Sequence, residues 1–208
     1  MAKLKRVKQQ IKSFLLVHGI AEPEGLRYWS AKAVEALGRM ALREPLGFTL
    51  KTLLKELAFL DEQVAQIEQQ MQGLAETGRH GAAVAVMDSH PGVGLITALS
   101  FRTELFDPGR FRDGKEVGQY VGLAPRVRQS GQTRRDGPIS RTGRGPLRAL
   151  LIQAAWRWID KDKQAQAVFD RLVHNTGKSQ KAIVGMARRL AIRLWRMQVT
   201  GELYRQAA

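Results

Sequence analysis

From Leu50 onward the apolar residues fall at Leu50, Leu53, Leu57, Leu60, Val64, Ile67, Met71 and Leu74, with spacings that alternate between three and four. That period keeps one stripe along one side of a helix and is the seam of a coiled coil. Leu4, Val7, Ile11 and Phe14 repeat the spacing, so residues 1 to 18 read as a second helical arm. The two arms can pair with each other as a hairpin, or with a second copy of the chain as a dimer interface. Between them, Pro23, Gly25, Pro45 and Gly47 bracket a helical piece from Leu26 to Leu42. The run Glu76-Thr77-Gly78-Arg79-His80-Gly81 then breaks the pattern.

Beyond the break, helical spacing predicts short helices at Ala82 to Met87, Leu95 to Leu105 and Lys115 to Val121. Arg126 to Ile139 lacks a helical period and carries the turn signals Ser130-Gly131 and Asp136-Gly137, which predicts a strand-turn-strand excursion. Helix resumes at Pro146, a favourable first-turn residue, through Leu147, Leu150, Leu151, Ala154 and Trp158. Two more helices follow at Lys163 to His174 and Ser179 to Gln198. On the last one, Ile183, Met186, Leu190, Leu194 and Met197 form an apolar stripe beside Arg189, Arg193 and Arg196, a face that reads equally as a phosphate track or as solvated surface.

The expected fold is therefore mostly α, a coiled-coil helical hairpin followed by a compact helical domain with a small β excursion. The expected boundaries are 1–80 for the helical arm, 81–160 for the compact domain and 161–208 for C-terminal helices packing on it.

Charge changes this picture by adding a partner. The chain carries a net +15, an excess that attracts polyanions by counterion release. Residues 1 to 80 hold 12 basic and 9 acidic side chains, a net of +3, whereas residues 81 to 208 hold 22 and 10, a net of +12. Nucleic acid is the expected partner, bound by the second part. The absence of cysteine rules out disulfides and Cys-ligated zinc and makes an intracellular compartment the natural reading; with nucleic acid as the partner, a cytoplasmic, nucleoid-associated location is expected. The N-terminus alternates apolar and charged residues and is not a signal peptide. No apolar run approaches the roughly 20 residues a membrane span needs, so no membrane partner is expected.

Two segments could carry chemistry. His90-Pro91-Gly92-Val93-Gly94 lies between two short helices. Glycines at such a turn allow close backbone approach, and the N–H groups that open the next helix favour a phosphate oxygen. Gly92, Val93 and Gly94 are thus candidate phosphate contacts, in a pattern that resembles a helix-hairpin-helix motif. The second segment holds Arg126, Arg128, Arg134, Arg135, Arg141, Arg144 and Arg148 with a single acid, Asp136, and no lysine. An all-arginine set favours bidentate phosphate contacts. Read blandly, it is a nucleic-acid-binding loop. Read more sharply, Ser130 is a serine presented at a turn among guanidinium groups, suited to attack on a phosphodiester.

Other residues stay structural in this reading. His18, His80, His90 and His174 have no metal-ligand spacing, no acidic cluster suggests a metal site, and Trp156, Trp158 and Trp195 sit in helical patterns as packing residues. Tyr28, Tyr120 and Tyr204 lack the Arg and His partners that a tyrosine recombinase requires.

Several motifs then occur in a recognisable order: Pro91-Gly92-Val93-Gly94, Phe106-Asp107-Pro108, Phe111, Tyr120-Val121-Gly122-Leu123-Ala124-Pro125, Ser130-Gly131, Gly143-Arg144-Gly145-Pro146-Leu147-Arg148, and Leu150-Leu151 to Ala154-Ala155. This stretch, about residues 85 to 160, resembles the C-terminal domain of insertion-sequence transposases related to the Piv DNA invertase. The preceding helical arm is similar to the coiled coil before that domain, and Ser140 lies outside the match. The resemblance implies that Ser130 is the nucleophile, that a phosphoserine-DNA intermediate forms, and that strands are rejoined without an external energy source. It also implies DNA and a structured guide RNA as partners, homo-oligomers through the coiled coil, and an N-terminal RuvC-like acidic domain that binds Mg2+. This chain is expected to begin after that domain and to hold no cofactor itself. Alternatively it is a truncated transposase, non-catalytic, that binds DNA or RNA as a regulator.

Overall fold

The computed structural model describes residues 2–76, 78–130, 133–139 and 144–205, with side chains for all of these except 126–130, 133–136 and 138. As expected, the protein is mostly helical. It divides into two compact units, Met1–Gln70 and Met71–Ala208.

In the first unit, helix α1 (Ala2–Val17) buries Val7, Ile11 and Leu15. The spacing of four and four follows the 3.6-residue turn of a straight helix, so Leu15 takes the place that a strict heptad gives Phe14, and Phe14 is only partly buried. The piece expected from Leu26 to Leu42 is broken in two, a 3-10 turn (Leu26–Tyr28) and helix α2 (Ala31–Gly38). Trp29 adopts a left-handed conformation at φ 54°, and Ser30 then caps α2 by accepting from the Ala33 N–H at 3.3 Å. Helix α3 (Leu46–Glu76) contributes Leu50 and Leu57 to the core of this unit, with Leu53 and Leu60 packed at its edge. Further along the seam Ile67 is 57% exposed. Only the first half of the seam is covered within this unit.

The second unit gathers α4 (Gly78–Asp88), α5 (Leu95–Leu105), a 3-10 turn (Pro108–Arg110), α6 (Gly114–Tyr120), strands β1 (Pro125–Ser130) and β2 (Thr133–Ile139), α7 (Gly145–Lys161), α8 (Lys163–Thr176) and α9 (Ser179–Thr200). These elements lie within a few residues of those that the spacing predicts, and α4 starts earlier, at Gly78. The charge step near residue 80 falls inside this unit, because Met71 and Ala75 at the end of α3 already pack on its core.

Helix α9 is central. It buries Ala182, Ile183, Met186, Ala187, Leu190, Ala191, Leu194 and Met197, and it packs against α4, α6, α7 and α8. Apolar residues on more than one face are what a helix surrounded by others requires. Gly114 lets α6 approach closely, since a Cβ there would lie 2.6 Å from the Ile192 side chain. Trp195 ties α9 to the 3-10 turn by donating to the Pro108 carbonyl at 2.8 Å.

A polar cluster is buried among these helices. Asp162 accepts from the Gln164 and Ala165 backbone N–H groups at 2.8 and 3.2 Å, capping α8. Its other oxygen accepts from Trp158 Nε1 at 3.2 Å and from the Tyr204 hydroxyl. Burial pushes the Asp162 carboxyl up, but the bonds from Tyr204, Ala165, Trp158 and Gln164 outweigh it and hold the group below the usual carboxylate range. The His90 ring packs edge-on against Trp158 at 4.9 Å and Tyr204 at 4.4 Å, with its Nδ1 2.9 Å from the Pro91 carbonyl oxygen. Burial holds the His90 pKa down, to about 4, against the opposing pull of the Pro91 hydrogen bond.

His90 is therefore neutral in the folded protein at every pH above about 4. Below its ordinary value of 6.5 the unfolded chain takes up the proton first, so stability falls as pH drops through the window from 6.5 to about 4. At about 1.4 kcal/mol per pH unit, the expected loss is about 3 kcal/mol. Denaturation of the protein beside His90→Phe measures it: the advantage of the histidine protein at neutral pH shrinks by roughly that amount at the acid end. A difference that does not vary with pH would contradict a buried neutral imidazole.

Candidate nucleic-acid interface

Strands β1 and β2 form an antiparallel ribbon whose pairs run Val127 with Asp136, Arg128 with Arg135, Gln129 with Arg134 and Ser130 with Thr133. The register slips by one residue between Pro125, which pairs with Ile139, and Val127. Gly137 and Pro138 stand opposite this slip, and Pro138, with no N–H to give the ladder, is tolerated at such an irregularity. Asp136-Gly137 thus lies within β2 and not at a turn.

The register sorts the predicted residues. Neighbours across a pair share a face, and faces alternate along a strand. Arg128, Ser130, Thr133 and Arg135 fall on one face, whereas Gln129 and Arg134 fall on the other. Arg126 lies at the slipped register. Ser130 belongs to the pair nearest the connection between the strands. The side chains of Ser130, Arg126, Arg128, Arg134 and Arg135 lie outside the described set, and Arg141 and Ser140 lie outside the described residues altogether.

Arg144 and Arg148 open α7. Arg144 Nε is 3.0 Å from Glu104 Oε2 at the end of α5. The Glu104 backbone carbonyl in turn accepts from the Tyr120 hydroxyl at 2.9 Å, which joins α5, α6 and α7 at the base of the ribbon. Arg148 is half-buried, and among the described residues neither its Nη1 nor Nε of Arg102 on α5, both buried, has a hydrogen-bond partner.

The glycine turn is placed differently from its sequence reading. Gly92 has φ 88°, and a Cβ there would lie 2.6 Å from both the Ala154 carbonyl oxygen and the Trp158 nitrogen of α7. Only glycine permits that contact between turn and helix. Val93 is buried in the core. The form of Gly92 and Val93 therefore follows from packing on α7. Gly94 is exposed, has nothing near its Cβ position and precedes the first turn of α5, so it is the member of the three whose backbone lies at the surface.

Sequence reasoning passed over Arg110, whose guanidinium lies 4.7 Å from the Phe111 ring and 4.6 Å from Tyr120. It also passed over the assembly of His90, Trp158, Asp162, Arg193 and Tyr204. Asp162 just before a helical run is a visible N-cap signal and Trp158 stands four residues before it, but His90, Arg193 and Tyr204 are distant in sequence. Among the described residues no three His, Asp or Glu side chains come together as a metal site, and no helix is long and apolar enough to cross a membrane.

Comparison with known proteins adds the family. Residues 84–170, which hold α5, α6, the ribbon and α7, match the Transposase IS116/IS110/IS902 family. A putative transposase, y4qE, of Sinorhizobium fredii is 30% identical over 158 residues, covering 74% of this chain and 36% of that protein. The transposase for insertion sequence element IS1111A of Coxiella burnetii is 27% identical over 209 residues, covering 96% of this chain and 55% of its own length. A probable family 20 transposase of Pseudomonas aeruginosa is 33% identical over 114 residues, 55% of this chain and 33% of that protein. The chain thus spans from about a third to about half of the length of these curated relatives. Residues 84–170 are similar to the Transposase IS116/IS110/IS902 family domain, and the chain is similar over most of its length to named insertion-sequence transposases.

Proposed function

We propose that this chain is the strand-joining part of a DNA transposase, with Ser130 as its nucleophile. The observation that carries the reading is the position of Ser130 in the pair nearest the ribbon's connection, within a family domain whose relatives are named transposases. The serine oxygen bonds to the scissile phosphorus while one bridging phosphate oxygen leaves and takes up a proton. The phosphoserine ester keeps the bond energy, so a hydroxyl of another strand displaces the serine and restores the phosphodiester. Arg128 and Arg135, on the same face of the ribbon as Ser130, are the first choice as stabilisers of the charge on phosphorus. Arg126, Arg134, Arg141, Arg144 and Arg148 bind flanking phosphates, and the N–H groups around Gly94 clamp one more.

Magnesium held by an acidic domain would supply activation of the scissile phosphate. In this reading the acidic residues stand on a further domain, joined to this chain or separate. The excess of positive charge, +15, also suits a structured guide RNA. With DNA as its substrate, the proposed reaction would run in the cytoplasm, at the nucleoid.

A denaturing gel with element-end DNA, magnesium and the acidic domain tests the chemistry. The expected result is a covalent protein-DNA adduct that disappears in Ser130→Ala while DNA binding persists. Binding without adduct in the unaltered protein under the same conditions would contradict the mechanism and favour a non-catalytic regulator.

We further propose that the α3 stretch around Val64 and Ile67 pairs with a second copy of the chain, since it continues the apolar seam beyond the part covered in the first unit. Sedimentation equilibrium is expected to give a dimer that Ile67→Glu converts to monomer. A monomer for the unaltered chain at high concentration would contradict the pairing.

A further inference from the structure

Helix α9 carries Lys181, Arg188, Arg189, Arg193 and Arg196 and no acidic residue. Arg188 packs over Gly118 of α6, whereas Arg189, Arg193 and Arg196 lie exposed along the side that faces α8. With Trp158, Asp162 and Ile192 they line a cleft of about 340 Å³.

Three features set this cleft apart from an ordinary solvated face. Like charges three and four residues apart on a helix repel and destabilise it, yet among the described residues no carboxylate comes within ion-pair distance of any of the three. The one carboxylate in the lining, Asp162, has both oxygens occupied by donors from Gln164, Ala165, Trp158 and Tyr204. Finally, the Arg193 guanidinium is held near two rings, 5.2 Å from the Trp158 centroid and 5.1 Å from that of Tyr204. A planar cation fixed in this way loses less freedom when it forms paired bonds to an oxyanion.

We infer that this cleft binds the phosphodiester backbone of DNA, independently of base sequence. Arginine forks match phosphate oxygens bidentately. Seven residues at about 1.5 Å each set Arg189 and Arg196 roughly 10 Å apart along the helix axis. That spans about three steps of a B-form strand at about 3.4 Å per step. The cleft would hold DNA on a helix away from the serine ribbon in sequence, and would anchor the duplex without reading it. This inference rests on the reading of the chain as a DNA-binding protein.

Fluorescence anisotropy of the full chain, with short labelled DNA duplexes of two unrelated sequences and an RNA of matched length, tests it between about 50 and 200 mM salt. The variant is Arg189→Gln with Arg196→Gln, both exposed, with thermal melting to show that the fold is kept. Two lost phosphate contacts lower the slope of log K against log salt by about 1.8 on duplex DNA, equally for both sequences. An unchanged slope and affinity, with the unaltered protein still binding DNA, would overturn the cleft alone. A change confined to RNA would overturn its assignment to DNA. Failure of the unaltered protein to bind DNA at low salt would overturn the DNA-binding reading and the cleft together.

Discussion

Asp162 gathers donors from three segments of the second unit: the first turn of α8, Trp158 at the end of α7 and Tyr204 beyond α9. Trp158 and Tyr204 in turn enclose His90, which stands at the start of the glycine turn between α4 and α5. A buried carboxylate with an unfilled acceptor would be costly, whereas one met by four donors fixes the segments that supply them. This carboxylate thereby ties the start of α8 to the end of α7 and to the segment after α9, at one end of the arginine cleft.

The glycine turn takes its shape from a different constraint, the backbone of α7. Its Gly-Val-Gly pattern suggests a phosphate grip when read alone, and Gly94 keeps that possibility. Gly92 is instead required by the α7 backbone, which leaves no room for a Cβ. Sequence pattern cannot distinguish a glycine that admits a ligand from one that admits another helix, because both demand the same missing side chain.

The helices were legible because their apolar residues recur at the helical period, and the ribbon because Arg126 to Ile139 breaks it. The long seam was legible as a period but not in its partners: Leu50 and Leu57 are buried, and Ile67 is not. Which ribbon arginines stand opposite each other depends on the pairing register, Arg128 with Arg135, while the slip opposite Gly137 and Pro138 affects Arg126 alone; neither can be counted from the arginines themselves. The cluster around Asp162 was the least legible part, since His90, Trp158, Arg193 and Tyr204 meet only after α4, α7 and α9 have packed.

Two basic surfaces of the second unit then follow from one core. The ribbon carries Ser130 and arginines within the segment that matches a transposase family, and α9 carries, on its α8 side, arginines that no carboxylate among the described residues pairs with. The central claim is that nucleic acid is engaged by both. Photocrosslinking of the full chain to duplex DNA with photoreactive nucleotides, read by mass spectrometry, tests it most directly. Crosslinked peptides are expected from residues 125–139 and from α9, while crosslinks confined to α1, α2 and α3 would contradict the account.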